Sequence, residues 1–159
     1  MRAPADVLPP ASEHDRPDAS LYERVSALLG LKSALHSEVD LIDRLEKGLS
    51  VGTVQALRTR GGLTDEETYS LIAPRRTLNR RETLRQALSR EEADKAVRIA
   101  RVTARAQQVF SGKPAYVAEW LRASKSALGG RTPMQALATE SGALAVEELL
   151  IGVEHGMFG

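Results

Sequence analysis

A chain of 159 residues is long enough for one domain, or two small ones, with an apolar core. Its 42% hydrophobic and 27% charged residues are ordinary globular values and exclude a wholly disordered or fibrous chain. The formal charge of +1 hides an asymmetry: residues 58–105 hold 12 basic and 7 acidic groups, residues 1–57 hold 6 and 9, and residues 106–159 hold 4 and 5.

That central excess points either to a local polyanion contact or to a solvated helical surface rich in Arg. Cysteine is absent, which excludes a disulfide framework, thiolate zinc sites and a cysteine nucleophile and fits a reducing compartment. No apolar run reaches the roughly 20 residues needed to span a bilayer. Residues 1–20 are rich in Ala, Pro and Asp where a signal peptide would be apolar. A cytoplasmic protein without membrane contact is expected. Aromatic residues are only 4%, no stretch alternates apolar and polar with β-branched side chains, and Ala, Leu, Arg and Glu dominate. These are strong helix formers, so the fold class expected is all-α.

In chain order, residues 1–19 carry Pro4, Pro9, Pro10 and Pro17 and read as a disordered tail. Ser20 opens a helix, with Glu23 completing a capping box and Leu21, Val25, Leu28 and Leu29 forming a stripe up to Gly30. A second helix spans residues 37–47, with Val39, Ile42 and Leu45 at spacing three and Gly48 as its break. A third follows Ser50 and ends at Gly61-Gly62. Thr64 and Glu67 form another capping box for a short helix, and Pro74 either closes it or opens the next. Residues 75–88 read as a basic helical stretch. Ser89 and Glu92 then cap a long helix through Ala93, Ala96, Val97, Ala100, Ala104 and Phe110. After Gly112 the pattern restarts at Pro114, with Tyr116, Val117, Trp120 and Leu121 on one face. A loop over residues 124–131 carries Gly129-Gly130, Thr132 and Pro133 open a short helix, and a last helix spans residues 140–155.

Residues 64–88 have the grammar of a helix-turn-helix: a capped helix, a tight turn at Ala73-Pro74 and a second helix where arginine clusters. Arg75, Arg76, Arg80 and Arg81 fall within eight residues, and Arg85 lies one turn further. The planar guanidinium matches guanine or phosphate, and Asn79 can pair with adenine. Helical spacing places Arg76 with Arg80, and Thr77 with Arg81, on adjacent turns, while Leu78 and Leu84 are placed to dock the helix. An exposed basic helix with no ligand is the competing reading.

No catalytic constellation is visible. His14, His36 and His155 lack a second histidine at metal-ligand spacing. Ser124, Ser126 and Ser141 lack a nucleophile-elbow context. Gly129-Gly130-Arg131-Thr132 lacks the Lys-Ser/Thr ending of a phosphate loop. No enzyme, cofactor or metal is expected. Trp120, the sole Trp, is a natural anchor for a small helical core. Met157-Phe158-Gly159 places two large apolar side chains past a helix stop, either folded back on the protein or projecting into a partner.

The ordered series Phe110, Trp120-Leu121, Ala127-Leu128-Gly129-Gly130 with Pro133, Thr139-Glu140-Ser141-Gly142 and Glu154-His155-Gly156 resembles the toxin-binding domain of the Xre/MbcA/ParS-type antitoxins. Arg76-Thr77-Leu78, Arg80-Arg81 and Leu88-Ser89 with Glu92 resemble the same family's Xre-like helix-turn-helix domain. The resemblance covers about residues 45–159 and is nearest the ParS type. Two departures stand out: Gly152-Val153 where many members have Arg-Ile, and Ser124-Lys125-Ser126 where Pro-Asn is common.

The resemblance implies an Xre-like helix-turn-helix and dimerisation domain over residues 20–105, followed by a toxin-binding domain over residues 106–159. It implies a RES-domain toxin as partner, one that degrades NAD or transfers ADP-ribose, blocked at its active site by the C-terminal region. Trp120, Leu128, Gly129, Gly130, Arg131, Glu154, His155, Gly156, Met157, Phe158 and Gly159 are the expected toxin-binding residues. Arg75, Arg76, Thr77, Asn79, Arg80, Arg81 and Arg85 are the expected operator-DNA contacts of a homodimer that represses its own operon. The competing class is a stand-alone helix-turn-helix regulator whose C-terminal domain binds a small molecule or only itself.

Overall fold

The computed structural model describes residues 20–111 and 113–156, so the tail expected over residues 1–19 and the ending Met157-Phe158-Gly159 lie outside the described residues. Every regular element among the described residues is helical: α1 Leu21–Leu28, α2 Glu38–Lys47, α3 Val51–Gly61, α4 Asp65–Leu71, α5 Arg75–Thr83, α6 Arg90–Val109, α7 Pro114–Leu121, a 3-10 turn Ser126–Leu128, α8 Pro133–Ala136 and α9 Glu140–Glu154. The all-α expectation holds. No helix among them is long and apolar enough to cross a membrane.

The helix starts follow local chemistry. Ser20, Thr64 and Ser89 each accept the N–H three residues on, while Glu23, Glu67 and Glu92 reach back to the cap N–H. Each box satisfies two N–H groups that a helix start leaves orphaned. Thr132 and Gln135 form a fourth such box, with Pro133 at the first helical position. Pro74 both ends the turn after α4 and serves as N-cap of α5.

The helix α6 is the axis of the molecule. It packs most extensively on α1 and α9, and also on α3, α7 and α2. Its alanines make this possible: Ala96, Ala100, Ala104 and Ala106 are all 0% exposed, and their small side chains let helices approach from several sides. Leu28, Leu57, Leu121, Val146 and Leu150 close the same continuous core around it. Each fully buried leucine contributes about 2 kcal/mol. The boundary expected at residue 105 falls inside α6, whose two ends serve both halves of one core.

Arginines of α6 tie distant segments together. Arg101 makes a two-pronged contact with Glu38 of α2 at 2.9 and 3.1 Å. Arg98 binds Glu140 of α9 at 3.1 Å and the carbonyl of Leu137 at 3.3 Å. In the Glu38 carboxyl, the hydrogen bond from Arg101 outweighs burial and holds the pKa below the usual carboxylate range. Burial raises the Glu92 pKa, but hydrogen bonds from Ser89 and Arg81 outweigh it and leave it lowered. Both carboxyls titrate lower in the folded chain than unfolded, so their stabilisation is complete above about pH 4.3. It is lost as pH falls through the lowered folded values. Thermal melts from pH 7 to pH 3 are expected to show a steep decline in Tm below about pH 4.5, shallower in Glu38→Gln and Glu92→Gln.

Candidate functional sites

The first site is the α4–turn–α5 unit. Thr68 is 0% exposed, its hydroxyl donating to the carbonyl of Thr64 at 2.8 Å. Ile72 and Ala73 are buried in the turn, and Leu78 docks α5 on the core. With Leu78 pointing inward, Arg76, Asn79 and Arg80 face outward and are exposed, and Thr77 is half-buried.

The arginine cluster is less uniform than its spacing implies. Arg75 is exposed but tethered: its guanidinium lies 4.9 Å over the Tyr69 ring, and Nη2 is 3.2 Å from Asp65. Arg58 holds the other oxygen of Asp65. Arg81 is turned inward, its side chain 18% exposed against 11% for Glu92. Its Nε stands 2.6 Å from Glu92 Oε1 as a charge contact without hydrogen-bond alignment, while Nη2 donates to Oε2 at 3.2 Å. Arg81 is therefore a strut between α5 and α6, not an outward contact.

The basic stretch read as a helix over residues 75–88 stops at Thr83. Arg85 lies beyond it with φ +54, in the left-handed region, which costs an L-residue roughly 1–2 kcal/mol. Leu84, expected to dock the helix, is 58% exposed. The reversal is held by N–H bonds from Arg85 to the carbonyl of Glu82 and from Gln86 to that of Arg81.

The second site lies in the C-terminal third. Trp120 is half-buried, packed on Phe110 with ring centroids 5.9 Å apart, and Lys125 Nζ lies 4.9 Å over its indole. Val117 and Leu121 anchor α7 in the core, while Tyr116, expected on the same face, is 58% exposed. Between α7, the 3-10 turn and the end of α9 opens a cavity of about 250 Å³, lined by Trp120, Ser124, Lys125, Ser126, Ala127, Leu149 and Val153.

The glycine pair shapes one wall. Gly129 and Gly130 have φ +65 and +83, and their left-handed turn lets the Gly130 N–H bond the carbonyl of Lys125 at 3.0 Å. Leu128 is buried beneath as core, and Arg131 folds back to donate to the Leu128 carbonyl at 3.2 Å. Glu154 ends α9, and His155 and Gly156 follow it exposed. Gly152 is buried.

Sequence reasoning missed Leu149 and Val153 as groove residues. Their spacing of four on α9 is the available signal, and it is one that ordinary core positions share. It also missed Arg122, which links the two sites: its guanidinium donates to Glu67 at 2.7 Å and to the carbonyl of Gly62 at 2.9 Å, at the start of the helix-turn-helix. Among the described residues no three His, Asp or Glu side chains are grouped to hold a metal.

A helix-turn-helix with outward arginines, joined through the shared helix α6 to a unit bearing a groove of mixed lining, defines a helix-turn-helix protein with an appended C-terminal module. Residues 40–101 match the Antitoxin Xre-like helix-turn-helix domain, and residues 105–156 match the Antitoxin Xre/MbcA/ParS C-terminal toxin-binding domain. The chain is 36% identical over 133 residues to an Antitoxin Xre of Pseudomonas putida KT2440, covering 84% of this chain and 82% of that one. An Antitoxin Xre of Yersinia enterocolitica is 31% identical over 119 residues, 74% of this chain and 80% of that one. A third, from Photorhabdus laumondii, is 29% identical over 119 residues, 75% of this chain and 73% of its own. The chain belongs to the family of Xre/MbcA/ParS-type antitoxins.

Proposed function

We propose that this protein neutralises a RES-domain, NAD-using toxin by occluding its active site, and performs no reaction itself. The observation that carries this reading is the Trp120 groove. Its lining is mixed, with Trp120, Leu149 and Val153 as apolar wall and Ser124, Lys125 and Ser126 as polar rim, and it lies at the end of α9, within the segment that matches the toxin-binding domain. A partner seated there is gripped next to Glu154, His155 and Gly156. Leu128 and the glycine pair act from beneath by shaping the wall. In the same reading Arg76, Asn79 and Arg80 of α5 contact operator DNA as part of a homodimer, in the cytoplasm.

Deletion of residues 155–159 tests occlusion, because it leaves α9 whole and, of the described residues, removes only the exposed His155 and Gly156. Co-expressed with a RES-domain toxin that the full chain neutralises, the truncated chain should leave the toxin active, seen as growth arrest and NAD loss, with helical circular dichroism unchanged. Full neutralisation by that truncation sinks the occlusion mechanism. Trp120→Ala addresses the grip separately. A central aromatic anchor is worth about 2 kcal/mol or more, so toxin affinity should fall roughly 30-fold, and Lys125→Ala should cost less. Calorimetric titration with an inactive toxin variant measures both.

A further inference from the structure

Arg44 and Lys47, in the last turn of α2, and Arg85, past the end of α5, line one groove of about 480 Å³. All three side chains are exposed, and none makes an ion pair among the described residues. Arg81 also borders the groove but is held by Glu92, and Glu82 is the acidic residue on its wall. Asp40 and Asp43 face the adjoining depression, which shares Arg44 and Lys47. Asp40 already accepts the His36 N–H at 2.8 Å. The groove itself therefore carries a net positive charge.

We propose that this groove binds the sugar–phosphate backbone of duplex DNA beside the site read by α5; the inference rests on the DNA-binding reading above. Arg85 follows the C-cap of α5 with a left-handed φ, and the N–H bonds from Arg85 to Glu82 and from Gln86 to Arg81 that close the helix there set its side chain on the groove wall, with Arg44 and Lys47 opposite. The groove is also fixed in place: the Leu88 N–H bonds the Leu49 carbonyl at 2.8 Å, clamping the segment after α5 to the α2–α3 junction. Continuity with α5 selects duplex DNA as the source of phosphate. A helix lying in the major groove brings the residues beyond its end against the flanking strand, where contacts set affinity without reading sequence.

The test compares two 30-base-pair duplexes, one from the upstream region of the gene and one of random sequence, across a salt series. R44Q/K47Q/R85Q should weaken binding to both by the same factor, tenfold or more at about 0.15 M salt. It should flatten the dependence of log K on log salt by about 2–3, close to one per lost phosphate contact. Arg80→Ala should instead lower the preference for the upstream duplex. Arg85→Gly should melt no lower than the parent chain and still bind both duplexes more weakly. An unchanged salt slope in the triple variant overturns the groove and leaves α5 standing, whereas a parent chain with no salt-dependent binding removes both. Inorganic phosphate alone should give no saturable heat. Saturable binding that Arg85→Gln abolishes, with duplex affinity untouched, also overturns the proposal.

Discussion

Gly142→Ala is expected to lower stability by about 3 kcal/mol and to disable toxin binding along with it. A Cβ at this position would lie 1.8 Å from the carbonyl oxygen of Ala136 and 2.8 Å from its carbonyl carbon. Both are backbone atoms at the end of α8, so no side chain can swing aside to make room. The first turn of α9 must then back away, breaking the bond from the Gly142 N–H to the Thr139 hydroxyl at 2.9 Å. Because α9 carries Leu149 and Val153 into the groove, the displacement reaches the proposed partner surface. In a chain of this size, 3 kcal/mol is a fall in Tm of roughly 10 °C. Gly62→Ala is the control: its φ is +69 but nothing lies within 4 Å of the added carbon, so it should cost only the left-handed strain, about 1 kcal/mol. Equal melting of the two variants refutes the close-approach argument.

Arg81→Ala and Arg80→Ala, one position apart, are expected to fail in opposite ways. Removing Arg81 leaves the mostly buried Glu92 carboxylate without its charge partner and unties α5 from α6, at about 3 kcal/mol. Arg80 is exposed, so its removal should change stability by less than about 0.5 kcal/mol. In the proposed operator contact, loss of a direct base contact should cost about 1–3 kcal/mol, or roughly 5- to 150-fold. Urea melts and duplex titrations on the same two samples separate these outcomes. Should Arg80→Ala destabilise the fold while Arg81→Ala leaves it intact, the inward and outward assignments are reversed.

The contrast between Arg80 and Arg81 shows what kind of information was local. Ser20 with Glu23, Thr64 with Glu67 and Ser89 with Glu92 announce helix starts because donor and acceptor are three residues apart, a distance the helix itself sets. Helix type, most boundaries, the helix-turn-helix and the motif series of the C-terminal third were legible for that reason. The order of helices and the family follow from the amino-acid sequence by itself.

Tertiary structure decided which residues of each motif are available. Arg81 is withdrawn by Glu92, 11 residues away. Arg85 leaves the helix at a reversal clamped to the distant Leu49 carbonyl. Trp120 becomes the wall of a groove only when Leu149 and Val153 arrive from α9. Gly142 is indispensable because of the Ala136 carbonyl. Periodicity assigns a side chain to a face of its own helix. What that face meets depends on contacts between elements far apart in the chain, and those exist only once the α6 core has assembled.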